Sequence, residues 1–434
     1  MINNVKRIFF ILTIFMLTAC FIYAQPAAQR LTLGGYFNTG LGVVFSDSND
    51  VDTFFKAFGA DSEQNGYRLR LNAAYTSESG NFGIRLRFQS QSNLNQSGYF
   101  SLPYVYGWMN FFNDAVYLAA GIVDDTSFQT TDWWIFDDTG EGLGVLLKIT
   151  PLSGLNIGLG VYIISQQAAG ANNILNHGGN LPNFANITPR IEDAKYVFSA
   201  SYTIPDIFWL GATFRTKNKA GWNGTLDIDR WGYVYDGRQE SSQLFAEFRY
   251  LGNENLTAIA SASIDRLEEF NARGDIVLSQ TLSYRFDMLT IGFNAAEFIY
   301  NREDLHGNKI AYNPGLIFNL WGSYAISNIV PRLDIVYFMG GRSRLGGSES
   351  YMWHRRGFIN REIYDIGSDN NRYPSVLSVR PSVNFNLIGG ASIEIGNMFN
   401  YDFGNFDSAY GNSGDLYKRY LISNVFYIDL RWSF

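Results

Sequence analysis

The residues that decide the fold stand at the carboxyl end: Phe426-Tyr427-Ile428-Asp429-Leu430-Arg431-Trp432-Ser433-Phe434. A large apolar side chain recurs at every second position. Side chains on a β-strand point alternately to opposite faces, so Phe426, Ile428, Leu430, Trp432 and Phe434 share one face, while Tyr427, Asp429, Arg431 and Ser433 share the other. One face is fit for hydrocarbon and the other carries charge. That division suits a wall with lipid on one side and water on the other. The plainer alternative is an amphipathic edge strand of a soluble sheet.

The same period of two recurs upstream from Arg30 onward, in segments of about 10 to 14 residues, the length a tilted strand needs to cross a bilayer. Tyr67, Leu69, Leu71, Ala73 and Tyr75 alternate with Arg68, Arg70, Asn72 and Thr76; Phe82, Ile84, Leu86 and Phe88 alternate with Arg85, Arg87 and Gln89. Other segments are weaker: between Leu256 and Ile264 the apolar face consists of Ala258, Ala260 and Ala262.

Short and long connections alternate between these segments. The short ones centre on Glu78-Ser79-Gly80, Asn113-Asp114, Ser153-Gly154, Pro205-Asp206, Gly252-Asn253, Asp287, Ser327-Asn328 and Gly389-Gly390, all turn-forming residue types. The long ones run over residues 47–64, 91–101, 124–141, 167–191, 217–239, 266–273, 301–311, 341–375 and 400–418. Counting both kinds gives about 18 strands, with 16 as the runner-up if the poorest segments merge, and puts both ends of the wall on one side. The first segment starts near Leu31, which leaves no room for a plug before it, and no linker divides the chain.

Composition agrees with many strands. Aromatic residues make up 16%, with 43 glycines against 10 prolines, as aromatic belts at two interfaces and many turns require. Beyond residue 24 no stretch approaches the roughly 18 consecutive apolar residues of a spanning helix. A large soluble β-sandwich or β-helix remains as the alternative. The net charge of −7 argues against nucleic acid as a partner.

At the amino end, Lys6-Arg7 precede the apolar run Ile8 to Leu17, with small residues at Ala19 and Ala24. The pattern is a secretory leader over residues 1–24, cleaved after Ala24, followed by one domain over 25–434. Leu17-Thr18-Ala19-Cys20 offers a second processing site that would leave a lipidated cysteine. Cys20 is the only cysteine, so cleavage after Ala24 leaves none for a disulfide.

The closing segment with its aromatic terminus closely resembles the last strand of bacterial outer-membrane β-barrel proteins. Together with the leader and the alternating connections, the chain resembles the porins. The resemblance implies an all-β fold, a transmembrane antiparallel β-barrel with short periplasmic turns and long extracellular loops, in the bacterial outer membrane. It implies outer-membrane lipid as surroundings and an assembly machinery that reads Phe426, Ile428, Leu430, Trp432 and Phe434. It also implies small hydrophilic solutes as cargo and, for porins of this kind, often a homotrimer. No cofactor or metal is expected.

Residues that would face the water are the candidate site. Arg68, Arg70, Arg85 and Arg87 all sit opposite lipid-type positions, so they project together into the lumen. An arginine facing mid-membrane lipid costs about 2–4 kcal/mol, which fixes the direction. The alternative role is a row of charges paired with nearby carboxylates to stiffen the wall. Residues 124–141 carry six carboxylates and no base, with Asp132, Trp133, Trp134, Phe136, Asp137 and Asp138 at the centre. In general porins the third loop folds into the barrel and sets its acids against a basic wall; this loop resembles it in order and charge sign. The alternative is an external loop whose tryptophans rest at the membrane interface. Tryptophan pairs also suit sugar faces.

Two further loops carry charge. Residues 341–375 hold more basic than acidic groups, suited to drawing in anions or to surface-lipid phosphates; a solvated loop is the other reading. Asp47, Asn49, Asp50 and Asp52 lack the pattern of a calcium loop. His177, His306 and His354 fall in separate long loops, and no metal or nucleophile motif accompanies them, so no enzyme is expected. The expected function is a water-filled channel for passive diffusion. The alternatives are a channel selective for saccharides or organic anions, and a non-conducting structural or adhesive barrel.

Overall fold

The computed structural model describes residues 31–46, 53–58, 67–93, 96–124, 141–164, 194–216, 227–228, 234–235, 242–265, 267, 275–300, 315–339, 375–402 and 422–434. Its wall is built from 18 antiparallel strands. The first half comprises β1 (Leu31–Ser46), β2 (Tyr67–Thr76), β3 (Phe82–Asn93), β4 (Gln96–Phe111), β5 (Val116–Asp124), β6 (Glu141–Leu152), β7 (Leu155–Ile164), β8 (Lys195–Ile204) and β9 (Phe208–Arg215). The second half comprises β10 (Gln243–Tyr250), β11 (Leu256–Asp265), β12 (Asp275–Phe286), β13 (Leu289–Tyr300), β14 (Gly315–Tyr324), β15 (Ile329–Met339), β16 (Ser375–Asn386), β17 (Ala391–Asp402) and β18 (Ile422–Ser433).

Each strand pairs with its neighbours in sequence, and β1 pairs with β18 from Tyr36↔Ser433 to Ser46↔Ser423. That last ladder closes the sheet and leaves no edge, as a backbone in lipid requires. The last residue is stitched in as well: the Gly35 amide donates to the Phe434 main-chain oxygen at 2.8 Å, and the Phe434 amide donates back to the Gly35 carbonyl at 3.1 Å.

The turns form where short polar punctuation predicts them. Positive φ values occur at Gly80, Asn113, Asp114, Gly154, Asp206, Asp287, Ser327, Gly389 and Gly390, glycines or small polar residues that tolerate the left-handed region, and also at Phe112 beside Asn113. Each falls between two strands of a tight hairpin, and these turns share the rim on which β18 ends.

Two stretches depart from the sequence reading. Residues 91–93 and 96–101, expected in a long connection, belong to β3 and β4, which stay paired as far as Asn93↔Gln96 with irregular register along the way. Polar residues on both faces look like loop in a sequence, but a ladder that has left the hydrocarbon needs no apolar face. Within 47–64 there is also a short strand, Thr53–Phe58, paired with the upper half of β1 (Gly40↔Phe58 to Phe45↔Thr53), while β2 pairs with the lower half (Leu31↔Tyr75 to Thr39↔Tyr67). One long strand thus serves two partners along the same edge.

Candidate functional site: the inner wall

Register places the four predicted arginines on one face. Across β1, β2, β3 and β4, Asn38 stands opposite Arg68 and Tyr36 opposite Arg70; Arg70 stands opposite Gln89, Asn72 opposite Arg87, and Arg85 opposite Tyr106. Period-two geometry brings these to a common side, away from Leu71, Ile84 and Phe82. Arg68 is buried, at 5% exposure. Arg70 donates through Nε to Gln89 Oε1 and lies 5.5 Å over the Tyr36 ring, whose surroundings also include Arg431 at 5.4 Å. The Arg85 guanidinium donates to the Tyr106 hydroxyl at 3.4 Å.

Arg87 is held by three groups. Its Nε donates to Asn72 Oδ1 at 2.9 Å, and its guanidinium lies 4.6 Å over the Tyr104 ring. Asp124, the last residue of β5, approaches it at 3.7 Å. Tyr104 in turn donates to the same Asn72 oxygen at 3.4 Å. Both readings of these arginines therefore have a footing: they share the inner face, and at least Arg87 is paired with a carboxylate.

Further polar clusters, not picked out from the sequence, line the same face elsewhere. On β9 and β10, Arg249 forms a 2.6 Å ion pair with Glu247, whose side chain is wholly buried, and packs 4.1 Å over Trp209. On β14 and β15, Arg332 donates twice to Asp334, at 2.7 Å each, and lies 4.2 Å over Trp321; Asn319 adds a 3.1 Å bond to the same carboxylate. On β17 and β18 the Tyr427 hydroxyl donates to Glu394 at 2.6 Å. Parity in the sequence gives only the side, since an arginine flanked by Phe248 and Tyr250 must point inward; its partner Trp209 comes from the pairing Trp209↔Arg249.

Between β4 and β8 the inner face changes character. Tyr106, Ala119, Val123, Leu146, Tyr162 and Val197 form a buried cluster, with Tyr104, Trp108 and Tyr117 packed against it. Trp108 and Tyr117 stack at 6.1 Å, and Lys148 sits 4.4 Å over Tyr117. Aromatic faces and cations therefore occur side by side on this arc.

The opposite face is the inverse of a soluble protein's surface. Leu33, Leu41, Leu71, Ile84, Leu210, Phe248, Leu282, Ile291, Leu320, Leu333, Phe399, Phe426, Ile428, Leu430 and Trp432 are all exposed, whereas Lys195, Arg215, Gln243, Glu247, Asp334 and Arg380 are buried. Large apolar side chains rarely tile the outside of a water-soluble domain in this way. A closed ladder pairs the backbone of the wall, and the face turned to hydrocarbon is mostly apolar, with Gln280 on β12 and Glu297 on β13 as exposed polar exceptions among the described residues. The chain is a transmembrane β-barrel.

No protein-family model matches the chain, and no curated protein matches it by sequence. Among solved structures the barrel is similar to Pseudomonas aeruginosa OccK2 (OpdF) in complex with glucuronate, at 9% identity and a TM-score of 0.49, over 92% of this chain and 98% of that one. It is similar to Pseudomonas aeruginosa OpdL at 10% identity and a TM-score of 0.49, over 93% of this chain and 98% of that one. An anion-selective porin from Comamonas acidovorans matches at 11% identity and a TM-score of 0.46, over 93% and 99%.

The remaining predicted residues divide. Phe426, Ile428, Leu430, Trp432 and Phe434 lie together on the outer face of the closing strand, exposed by 40 to 57%. Trp432 Nε1 donates to the Gly389 carbonyl at 3.1 Å, tying the strand to the adjacent turn. Asp132, Trp133, Trp134, Phe136, Asp137 and Asp138 lie outside the described residues, as do the leader, the three histidines, the acidic residues of 47–52 and all of the basic loop 341–375 but its last residue, Ser375.

Proposed function

We propose that the barrel is an outer-membrane porin, a water-filled channel through which small hydrophilic solutes diffuse passively. The observation that carries the reading is the closed wall of 18 strands with apolar residues outside and charged residues inside. Side chains fill a barrel of about eight strands, whereas roughly 16 to 18 leave an aqueous channel. In this reading Arg68, Arg70, Arg85 and Arg87 line the narrowest part, with Asp132, Trp133, Trp134, Phe136, Asp137 and Asp138 facing them from the third loop. The outer membrane is reached through a leader cleaved after Ala24. The closing strand serves as the assembly signal, residues 25–434 act as one unit, and the working form is a homotrimer.

A selective channel for saccharides or organic anions is the second reading. It is favoured by the arc from β4 to β8, where Tyr104, Trp108 and Tyr117 present ring surface beside Lys148. Flat rings suit sugar faces and cations suit carboxylates. Planar-bilayer recording of the purified, folded protein tests both. A steady ohmic conductance supports the porin, and a conductance blocked by a sugar or organic anion at millimolar concentration moves the assignment to the selective channel. A folded protein that never conducts removes both and leaves a structural barrel.

A further inference from the structure

Arg87 has a carboxylate beside it, Asp124 at 3.7 Å, with both side chains partly exposed, 25% and 15%. The pair is held in place from the wall. Asn72 takes the Arg87 Nε bond, Tyr104 lies under the guanidinium, and the strand pairing Asp124↔Glu141 fixes the backbone that carries the acid. A guanidinium so bracketed cannot swing away from the acid without giving up both the hydrogen bond and the ring contact.

Asp124 is also the last residue of β5, where it reaches Arg87, while register sets Arg70 (opposite Gln89) and Arg68 (opposite Gln91) farther up the same wall. We propose that Asp124 is a selectivity-determining residue: it holds the charge of Arg87 neutral, and so limits the preference of the channel for anions. This rests on the porin reading above. A neutral pair adds little field at the lumen, whereas either partner alone adds a whole charge at a partly screened position, where fields act on passing ions. Removal of the acid and removal of the base therefore change selectivity in opposite directions, and removal of both returns it.

The test is the reversal potential under a potassium chloride gradient, measured in planar bilayers. Asp124→Asn should raise the chloride-to-potassium permeability ratio by about twofold, modest beside the roughly tenfold or greater enrichments that whole charged clefts produce. Arg87→Gln should lower it by a similar factor, and the double variant should lie at the wild-type value. A structural tie without an electrostatic role would alter channel noise or folding yield but leave the reversal potential where it was.

A second arm works on one folded channel. In a Cys20→Ser background Asp124→Cys carries the only thiol. Modification by a sulfonate reagent should restore the wild-type reversal potential, and modification by an ammonium reagent should drive it further toward chloride. Conducting variants whose reversal potentials stay together would overturn the proposal while leaving the porin intact. An absence of conductance in the wild type would remove the porin reading, and this proposal with it.

Discussion

Gly292 and Gly322 face each other's strands one position apart, with Gly292 paired to Trp321 and Gly322 to Ile291. They form a matched test of how the inner wall is packed. A Cβ on Gly292 would lie 2.2 Å from Trp321 Cε2 and 2.3 Å from Cζ2, so the indole rests flat on that glycine. The other side of the ring carries Arg332 at 4.2 Å. A Cβ on Gly322 meets nothing nearer than the Thr290 carbonyl at 3.9 Å. In Gly292→Ala the ring must leave, with an overpacking cost of about 1–3 kcal/mol and loss of a cation–π contact worth roughly 0.5–2 kcal/mol. Alanine recovers about 0.5–1 kcal/mol of backbone entropy in a strand. The net expectation is a loss of roughly 1–4 kcal/mol. Gly322→Ala keeps only the entropic term and should gain up to about 1 kcal/mol. Urea unfolding in detergent micelles, followed by tryptophan fluorescence and by heat-modifiable gel mobility, measures both. Adding Trp321→Leu to Gly292→Ala should recover the overpacking part of the loss, since the clash then has no second party, but not the cation–π part. If the two alanine variants change stability alike, the ring does not lie on Gly292 and the reasoning fails.

Deleting Phe434 removes two backbone hydrogen bonds with Gly35 and the terminal aromatic. Assembly into the membrane of cells should fall severalfold while refolding into micelles persists, and equal assembled amounts by surface protease protection would remove the closing strand's role as a signal. Gln280 lies mid-way along β12, exposed on the same face as Leu278 and Leu282, beside Ala260 and Ala295. An amide in that position faces hydrocarbon, so Gln280→Leu should stabilise the isolated barrel by about 1–2 kcal/mol. A loss of stability instead would mean that the amide has a polar partner in the membrane, and native mass spectrometry of the variant would show whether that partner is another copy.

The outer face was legible because lipid imposes one rule on every strand, and the rule has a period short enough to read in ten residues. Leu69, Leu71, Ile84 and Leu86 could be assigned to a side without knowing what stood next to them. The tight turns were legible for a related reason: Asn113, Asp206, Asp287 and Ser327 are local solutions to a local backbone problem. The inner face obeys no such rule. Which residue meets Arg87 depends on the register of β2 against β3 and of β4 against β5, and register is a property of the closed sheet. Parity could say that Arg70 and Gln89 both point inward, but only the pairing Arg70↔Gln89 makes them neighbours. The brackets of Arg249 with Trp209 and Arg332 with Trp321 escaped for the same reason, each joining two strands through a partner that neither segment announces. The length of β3 and β4 escaped because their upper ends lie beyond the lipid, where alternation is no longer enforced. Legibility thus ended where the bilayer ended, at the lumen on one side and at the rim on the other. A channel's cargo is chosen in those two places, so in a barrel of this kind the membrane address is written in the sequence far more openly than the selectivity.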